Sequence, residues 1–183
     1  MDMTKFQPAR GTRDFLPAEA IQREEVLAKI RGVFERFGFD PLVTPAFESW
    51  ELLSAKGGGG DAIREEIYAF KDKGERELGL RFDHTVPMAR VVANNPQVAK
   101  PFKRYAIGPV WRYDRPGAGR YREFWQADVD VVGSSSALAD AEIIACTRAV
   151  FAELGLDCAI RLNTRKVVEG IVAAAVIEAE KLG

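Results

Sequence analysis

Four arginines surround or enter a short loop in the second half of the chain: Arg112, Arg115, Arg120 and Arg122. The loop covers residues 114–119 and contains two glycines. Guanidinium groups stay charged at any working pH and pair with phosphate oxygens in a bidentate geometry. Glycines let a loop backbone fold closely over a ligand. This combination predicts a site for a polyphosphate.

Acceptor side chains follow the loop at the spacing of one strand face. Gln126 and Asp130 are four residues apart, so both lie on the face that also carries Phe124. Their oxygens suit an ammonium group, and Asp83, at the end of another predicted strand, offers a second carboxylate. The combined set fits a nucleotide together with a zwitterionic small molecule.

The same alternation also fits a simpler interpretation. Trp125, Ala127, Val129 and Val131 form the opposite, apolar face, and a half-solvated antiparallel sheet with this pattern needs no function. Three features favour a site: opposite charges are mixed on the polar face, Phe124 lies among them, and the arginine–glycine loop is adjacent.

Other kinds of site find little support. The two cysteines, Cys146 and Cys158, exclude a disulfide framework and a thiolate-only zinc site, and the single histidine, His84, excludes multi-histidine metal sites. No protein metal site is therefore expected. A lone histidine of this kind is more often structural than catalytic, and the sequence has no G-x-S-x-G nucleophile motif.

The glycine run at 57–60 formally begins a G-x-G-x-x-[GA] pattern. The preceding residues have a helical rather than a strand-like pattern, which is the wrong context for dinucleotide binding. We predict a loop here that can close over a substrate.

Composition limits the classes of protein to which the chain can belong. The chain has 183 residues, of which 47% are hydrophobic, and a net charge of −1, which indicates one domain without a global attraction for nucleic acid. No apolar run reaches transmembrane length and the N-terminus has no signal-peptide core. A reduced, cytoplasmic protein without membrane partners is expected.

Hydrophobic periodicity and capping residues predict helices and strands in alternation. We expect helices at 17–37, within 46–63, at 85–94, 137–154 and 165–181, with Gly38 as a C-cap, Thr85 as an N-cap and Ser134–Ser136 capping the fourth. We expect strands at 39–43, 67–70, 78–82, 102–113, 120–132 and 156–162. Such an order predicts an α+β fold around a mainly antiparallel sheet.

Several of these segments, in order, resemble the N-terminal catalytic part of the histidyl-tRNA synthetases, which are class II aminoacyl-tRNA synthetases. The opening RGTRDFLP at 10–17 resembles the start of that family, and residues 34–48 resemble class II motif 1, with Pro45 as its proline. LRFDHTVP at 80–87 resembles the histidine-site segment, and residues 102–132 resemble motif 2. The resemblance spans 1–183 and implies an incomplete class II catalytic core that ends before motif 3.

The resemblance also implies roles for single residues. Arg112 matches the motif 2 arginine that holds both the α-phosphate of ATP and the amino-acid carboxylate, which makes it the candidate catalytic residue. The other implied ATP-binding residues are Asp114, Arg120 and Phe124. The implied histidine-site residues are Asp83, His84, Thr85, Arg112, Gln126 and Asp130, where His84 departs from the usual leucine or glycine.

The implied reaction is adenylate formation from histidine and ATP, with Mg²⁺ as counter-charge on the phosphates. The implied partners are tRNA(His), bound by the full-length protein and weakly or not at all by this chain, and a second copy that dimerises through motif 1. Two alternatives remain open. One is a non-catalytic relative, the regulatory subunit of ATP phosphoribosyltransferase, and the other is a folded fragment without activity.

Overall fold

A computed structural model describes residues 6–55 and 65–174. Its helices are α1 (Pro17–Arg36), α2 (Trp50–Ser54), α3 (Thr85–Asn94), α4 (Ala137–Glu153) and α5 (Arg165–Ala174). Its strands are β1 (Asp40–Pro41), β2 (Phe47–Ser49), β3 (Ala69–Lys71), β4 (Glu77–Leu80), β5 (Phe102–Trp111) and β6 (Glu123–Val132). The predicted α+β class is confirmed.

The strands form two small sheets. In the larger sheet, of order β1-β5-β6, strands β5 and β6 are antiparallel from Phe102 opposite Val132 to Trp111 opposite Glu123, while β1 is parallel to β5. The smaller sheet, of order β2-β4-β3, is antiparallel throughout. Strands β3 and β4, and strands β5 and β6, form antiparallel hairpins, so the sheet structure is mainly antiparallel as expected.

The apolar face of the β5–β6 hairpin packs on helices. Val33 and Phe34 of α1 and Cys146 of α4 are buried with Tyr105 of β5, and the rings of Phe34 and Tyr105 lie 5.7 Å apart. Burial of this face directs the alternating polar residues to the opposite side of the sheet.

Two of the predicted caps are confirmed and one is wrong. Gly38 follows α1 with φ +74° and donates its N–H to the Glu35 carbonyl, and the Ser136 hydroxyl accepts from the Leu138 N–H at 3.2 Å. Thr85 does not cap α3. The Asp83 carboxylate accepts from the N–H groups of Thr85 and Val86 instead, because a carboxylate can satisfy two free amides at a helix start.

The region around 39–63 differs from the prediction. Of the expected strand 39–43, only Asp40–Pro41 forms β1, and the Leu42 N–H adds a hydrogen bond to the Tyr105 carbonyl at 2.9 Å. Residues 47–49 were expected to be helical but form β2, because they pair with β4; α2 begins only at Trp50, after the Ser49 cap. The glycine run at 57–60 lies outside the described residues.

The predicted strand at 156–162 is wrong. The segment has no regular structure, and Leu156 and Leu162 are exposed. A strand requires a neighbour for its backbone groups, and none of the described strands pairs with this segment. The following helix α5 agrees with the expected 165–181 as far as Ala174, and its remainder lies outside the described residues.

Two buried polar side chains connect the smaller sheet to β5. Arg81 donates from Nε to the Pro109 carbonyl at 2.9 Å and from Nη1 to the Thr44 carbonyl at 2.8 Å. His84, only 4% exposed, donates from Nε2 to the Gly108 carbonyl at 3.2 Å. A Cβ on Gly108 would lie 3.2 Å from Arg81 Nη2 and 3.3 Å from His84 Cε1. Gly108 therefore leaves the room that both side chains occupy.

We expect Gly108→Ala to lower the free energy of unfolding by about 1–3 kcal/mol, because the added methyl group overpacks this junction. Gly117→Ala is the matched control, since a Cβ there meets nothing within 4 Å. Urea denaturation measures both. Equal effects of the two substitutions would show that the junction is loosely packed.

Acidification should also destabilise the chain through His84. Burial lowers the pKa of His84, so the unfolded chain takes up a proton near pH 6.5 that the folded chain excludes. The free energy of unfolding should therefore fall as the pH drops from 7 to 6. His84→Gln should flatten this slope in urea titrations at each pH. An unchanged slope in the variant would assign the effect to other groups.

Candidate active site

The register of the long hairpin gathers polar side chains on one face of the sheet. Asp130 lies opposite Arg104, Asp128 opposite Ala106, and Gln126 opposite the small Gly108. An open cleft of about 410 Å³ lies on this hairpin. It is lined by Asp83, Thr85, Arg112, Gln126, Ala127, Asp128, Val129 and Asp130.

Five of the predicted histidine-site residues thus come together: Asp83, Thr85, Arg112, Gln126 and Asp130. The side chain of the sixth, His84, does not line the cleft, because it is buried against Gly108. Its main chain still contributes, since the His84 carbonyl accepts from Arg104 Nη2 at 3.3 Å. The structure thus places His84 in a packing position.

A fully buried cation lies beside this cleft. Arg104 is 0% exposed and forms an ion pair with Asp130. Its Nε and Nη1 atoms have no hydrogen-bond partner among the described residues. A buried guanidinium is stable only with compensating negative charge close by. Asp130 supplies that charge directly, and Asp128 and Asp83 lie close enough to act on Arg104 electrostatically. The sequence analysis gave Arg104 no role.

Asp128 is a cleft residue that sequence reasoning did not nominate. Its carboxyl is partly buried, and this burial raises the pKa of Asp128; Arg104 opposes the shift, while Asp130 and Asp83 add to it. The signal was available, because alternation placed Asp128 between Gln126 and Asp130 on the same face. A group that ionises less readily than usual and lines a cleft is typical of a binding or catalytic site.

An acceptor atom of the cleft lacks a donor among the described residues: Gln126 Oε1 is buried without a hydrogen-bond partner. Asp130 Oδ2 is already paired with Arg104 Nη2. Buried acceptors without donors are unfavourable. A ligand that brings an N–H donor, such as an ammonium group, would satisfy Gln126 Oε1.

Arg112 connects the cleft to a neighbouring aromatic surface. Its side chain lines the cleft and donates from Nε to the Phe82 carbonyl at 3.1 Å. The same guanidinium lies 5.1 Å from the centroid of the Phe124 ring. The guanidinium of Arg112 therefore borders both the acceptor-rich cleft and the ring of Phe124, which the sequence analysis predicts to bind ATP.

The remaining two predicted residues lie in the loop between β5 and β6. Both Nε and Nη2 of Arg120 approach Asp114 Oδ2, at 3.0 and 2.9 Å. The Asp114 side chain is 13% exposed and that of Arg120 is 65% exposed. Neither lines the acidic cleft. The structure thus separates the loop residues predicted to bind ATP from the cleft residues predicted to bind histidine. Arg112 lies between the two sets.

The described ranges contain neither a metal-binding cluster nor a membrane-spanning helix. Residues 6–55 and 65–174 contain no group of three His, Cys, Asp or Glu side chains placed to hold a metal ion. No helix in those ranges has the length and apolarity required to cross a bilayer.

Comparison with known proteins gives a consistent result. A family model described as histidyl-tRNA synthetase matches residues 11–183. Histidine–tRNA ligase 1 of Bacillus cereus is 45% identical over 178 residues, which cover 97% of this chain and 42% of that protein. The solved histidyl-tRNA synthetase of Nostoc sp. has a TM-score of 0.83 and 35% identity, over 97% of this chain and 41% of that one.

A further solved structure, described as an ATP phosphoribosyltransferase regulatory subunit/histidyl-tRNA synthetase from Bacillus halodurans, has a TM-score of 0.74 and 27% identity. It aligns over 83% of this chain and 39% of its own length. The chain spans about two fifths of the length of these relatives. With a matching family model over nearly all its residues and the class II fold around the cleft, the chain belongs to the histidyl-tRNA synthetase family.

Proposed function

We propose that the protein from which this chain derives activates histidine with ATP and transfers it to tRNA(His), and that the described cleft is the histidine half of the activating site. The observation that carries the proposal is the position of Arg112, between the acceptor-rich cleft and the Phe124 ring. Adenylate formation joins an amino-acid carboxylate to a nucleotide α-phosphate. A single cation between the two binding regions suits that junction.

The proposed amino-acid site uses charge complementarity. The α-ammonium group of histidine would donate to Gln126 Oε1 and to the carboxylates of Asp83 and Asp130, which lie in one cleft. Thr85 adds a hydroxyl at the same wall. Arg104 forms an ion pair with Asp130 from within the protein. His84 contributes its main chain only.

The proposed nucleotide site lies on the other side of Arg112. Phe124 would stack on the adenine ring, and Asp114 would accept from the adenine amino edge. Arg120 would contact the outer phosphates from the loop. In the described structure Arg120 is paired with Asp114, so ATP must exchange part of that ion pair for its own contacts.

The proposed reaction needs position and charge rather than an acid or base. A carboxylate oxygen of histidine attacks the α-phosphorus of ATP, the bond to the bridging oxygen breaks, and pyrophosphate leaves. Arg112 would hold both reacting groups and stabilise the developing charge. Mg²⁺ would neutralise the phosphates. Mg²⁺ at nucleotide sites is usually held through the substrate phosphates and one or two carboxylates.

The whole protein would act as a cytoplasmic homodimer, with tRNA(His) bound mainly outside this chain. Residues 1–183 would be the first part of its class II core, with motif 1 at 34–48, the histidine-site segment at 80–87 and motif 2 at 102–132. The motif 1 segment carries two exposed apolar side chains, Val43 at 91% and Phe47 at 51%. Exposure of this kind supports an interface with a second copy.

A regulatory subunit of the kind named for the Bacillus halodurans structure remains the second candidate, and the fold likeness to that structure favours it. A histidine sensor needs the acidic cleft but has no use for a nucleotide-stacking ring and a phosphate-binding loop. Phe124, Asp114 and Arg120 are all present, and Arg112 contacts Phe124. These residues favour the activating enzyme.

Histidine-dependent exchange of pyrophosphate into ATP tests the proposal directly, with a panel of other amino acids for comparison. We expect exchange with histidine alone, and a loss of about 10²–10³-fold in Arg112→Ala, because a preorganised charge donor is removed. Arg161→Ala, which removes an exposed arginine outside the cleft, should leave the rate unchanged.

The assay should be run on this chain and on the full-length protein. Exchange in the longer protein alone would assign the missing part to residues beyond this chain. Histidine binding without exchange in either protein would exclude the activating enzyme and favour the regulatory subunit.

The raised pKa of Asp128 predicts how histidine affinity depends on pH. Only an ionised Asp128 attracts the α-ammonium group of histidine, and burial makes Asp128 protonate at a higher pH than an ordinary aspartate. Histidine affinity should therefore fall as the pH drops from 7 toward 5. Asp128→Asn should weaken binding about 10-fold at pH 7 and flatten the pH dependence.

Calorimetric titration with histidine at several pH values measures both effects. Glu123→Gln, at an exposed position on the opposite face of β6, is the control and should follow the unsubstituted chain. A pH dependence that survives intact in Asp128→Asn would place the titrating group elsewhere.

A further inference from the structure

Arg122 contacts the main chain of two segments that are distant in sequence from each other. It lies just before β6, and its N–H donates to the Gly11 carbonyl at 2.7 Å. Its Nη1 atom approaches the Arg10 carbonyl at 3.5 Å. Arg122 thereby holds the segment at 10–11, far away in sequence, against the base of the β5–β6 loop.

Glycine is the only residue type that fits at position 11. Its φ is +85°, in the left-handed region. A Cβ at this position would lie 2.8 Å from both Cγ and Cδ of Arg122. The obstructing atoms belong to the stem of a side chain that is held at both ends, so it cannot simply move aside.

The other contacts of Arg122 reach the residues that follow β5. Its carbonyl accepts from the Arg112 N–H at 2.9 Å, and its Nε donates to the Asp114 carbonyl at 3.2 Å. Its guanidinium lies 4.1 Å from the centroid of the Tyr113 ring. Three consecutive residues beyond the strand end are thus fixed by one side chain and its backbone.

A second contact joins the same two segments. The guanidinium of Arg13 lies 4.3 Å from the Phe15 ring centroid and 4.5 Å from that of Tyr121. Stacking of a guanidinium on aromatic rings is favourable and directional. The N-terminal segment at 10–15 therefore contacts both residues that lead into β6.

We propose that Gly11 and Arg122 are positioning residues that hold Arg112 and Asp114 in place for ATP. The inference rests on the proposed function, because it assigns the nucleotide to Arg112 and Asp114. Neither Arg112 nor Asp114 is in the β5–β6 ladder, which ends at Trp111 and Glu123. Their positions depend on the contacts of Arg122, and a displacement of about 1 Å at such a site can reduce catalysis by about 10²-fold.

Gly11→Ala tests this assignment without changing any residue of the site. We expect ATP affinity, measured by calorimetry, to fall about 10-fold. Histidine affinity should fall less, because Arg112 borders both ligands whereas Gln126 and Asp130 lie on the β5–β6 ladder. A merely structural defect would weaken both ligands to the same extent. Arg10→Ala is the matched control, since it removes an exposed side chain from the same segment and keeps the carbonyl that accepts from Arg122.

Hydrogen exchange gives an answer that does not depend on ligand binding. The N–H groups of Arg112 and Arg122 should lose protection in Gly11→Ala, while the β5–β6 ladder keeps its protection. If the unsubstituted chain binds no ATP, the proposed function fails for this chain. The hydrogen-exchange data still decide whether Gly11 fixes the position of Arg112. Unchanged protection and unchanged ATP affinity in Gly11→Ala would overturn the inference.

Arg122→Lys is the second variant, for the case in which Gly11→Ala does not fold. Lysine keeps the positive charge but has no planar group to stack on Tyr113 and to donate to the Asp114 carbonyl at once. We expect the same selective loss of ATP affinity. Full ATP affinity in a folded Arg122→Lys variant would also overturn the inference.

Discussion

The arrangement of the cleft depends on one buried charge. Arg104 has no exposed surface, so the protein must provide negative charge and acceptors around its guanidinium. Asp130 supplies the direct ion pair, the His84 carbonyl accepts a hydrogen bond, and Asp128 and Asp83 act at longer range. The concentration of carboxylates that suits an ammonium ligand therefore also stabilises the folded chain, which couples the site to the core.

The register of the β5–β6 hairpin decides which of these charged residues lie opposite each other. Strict alternation along β5 and β6, which sequence alone indicates, decides which residues share a face. The pairing of Arg104 with Asp130 and of Gly108 with Gln126 is the register that the structure adds. Alternation predicted the acidic face, the apolar face and the neighbourhood of Phe124. It gave no way to see that His84 packs on Gly108, because that contact joins two sheets and depends on the absence of a Cβ.

Errors in the predicted elements have a common physical origin. Residues 47–49 look helical in isolation and become a strand because β4 is available as a partner. Residues 156–162 look like a strand and stay irregular because no described strand pairs with them. Strand formation is decided by non-local hydrogen bonds, whereas the helices at 17–36 and 137–153, whose bonds are local, agree with the prediction to within one residue.

Strand β6 pairs with β5 on one side, and among the described strands it has no neighbour on the other. An unpaired edge of this length is a template for another chain. Antiparallel pairing of two β6 strands centred near Val129 would set Asp128 of one copy directly opposite Asp130 of the other, and like charges so placed repel. Asp128 and Asp130 therefore disfavour that pairing between two copies of the chain.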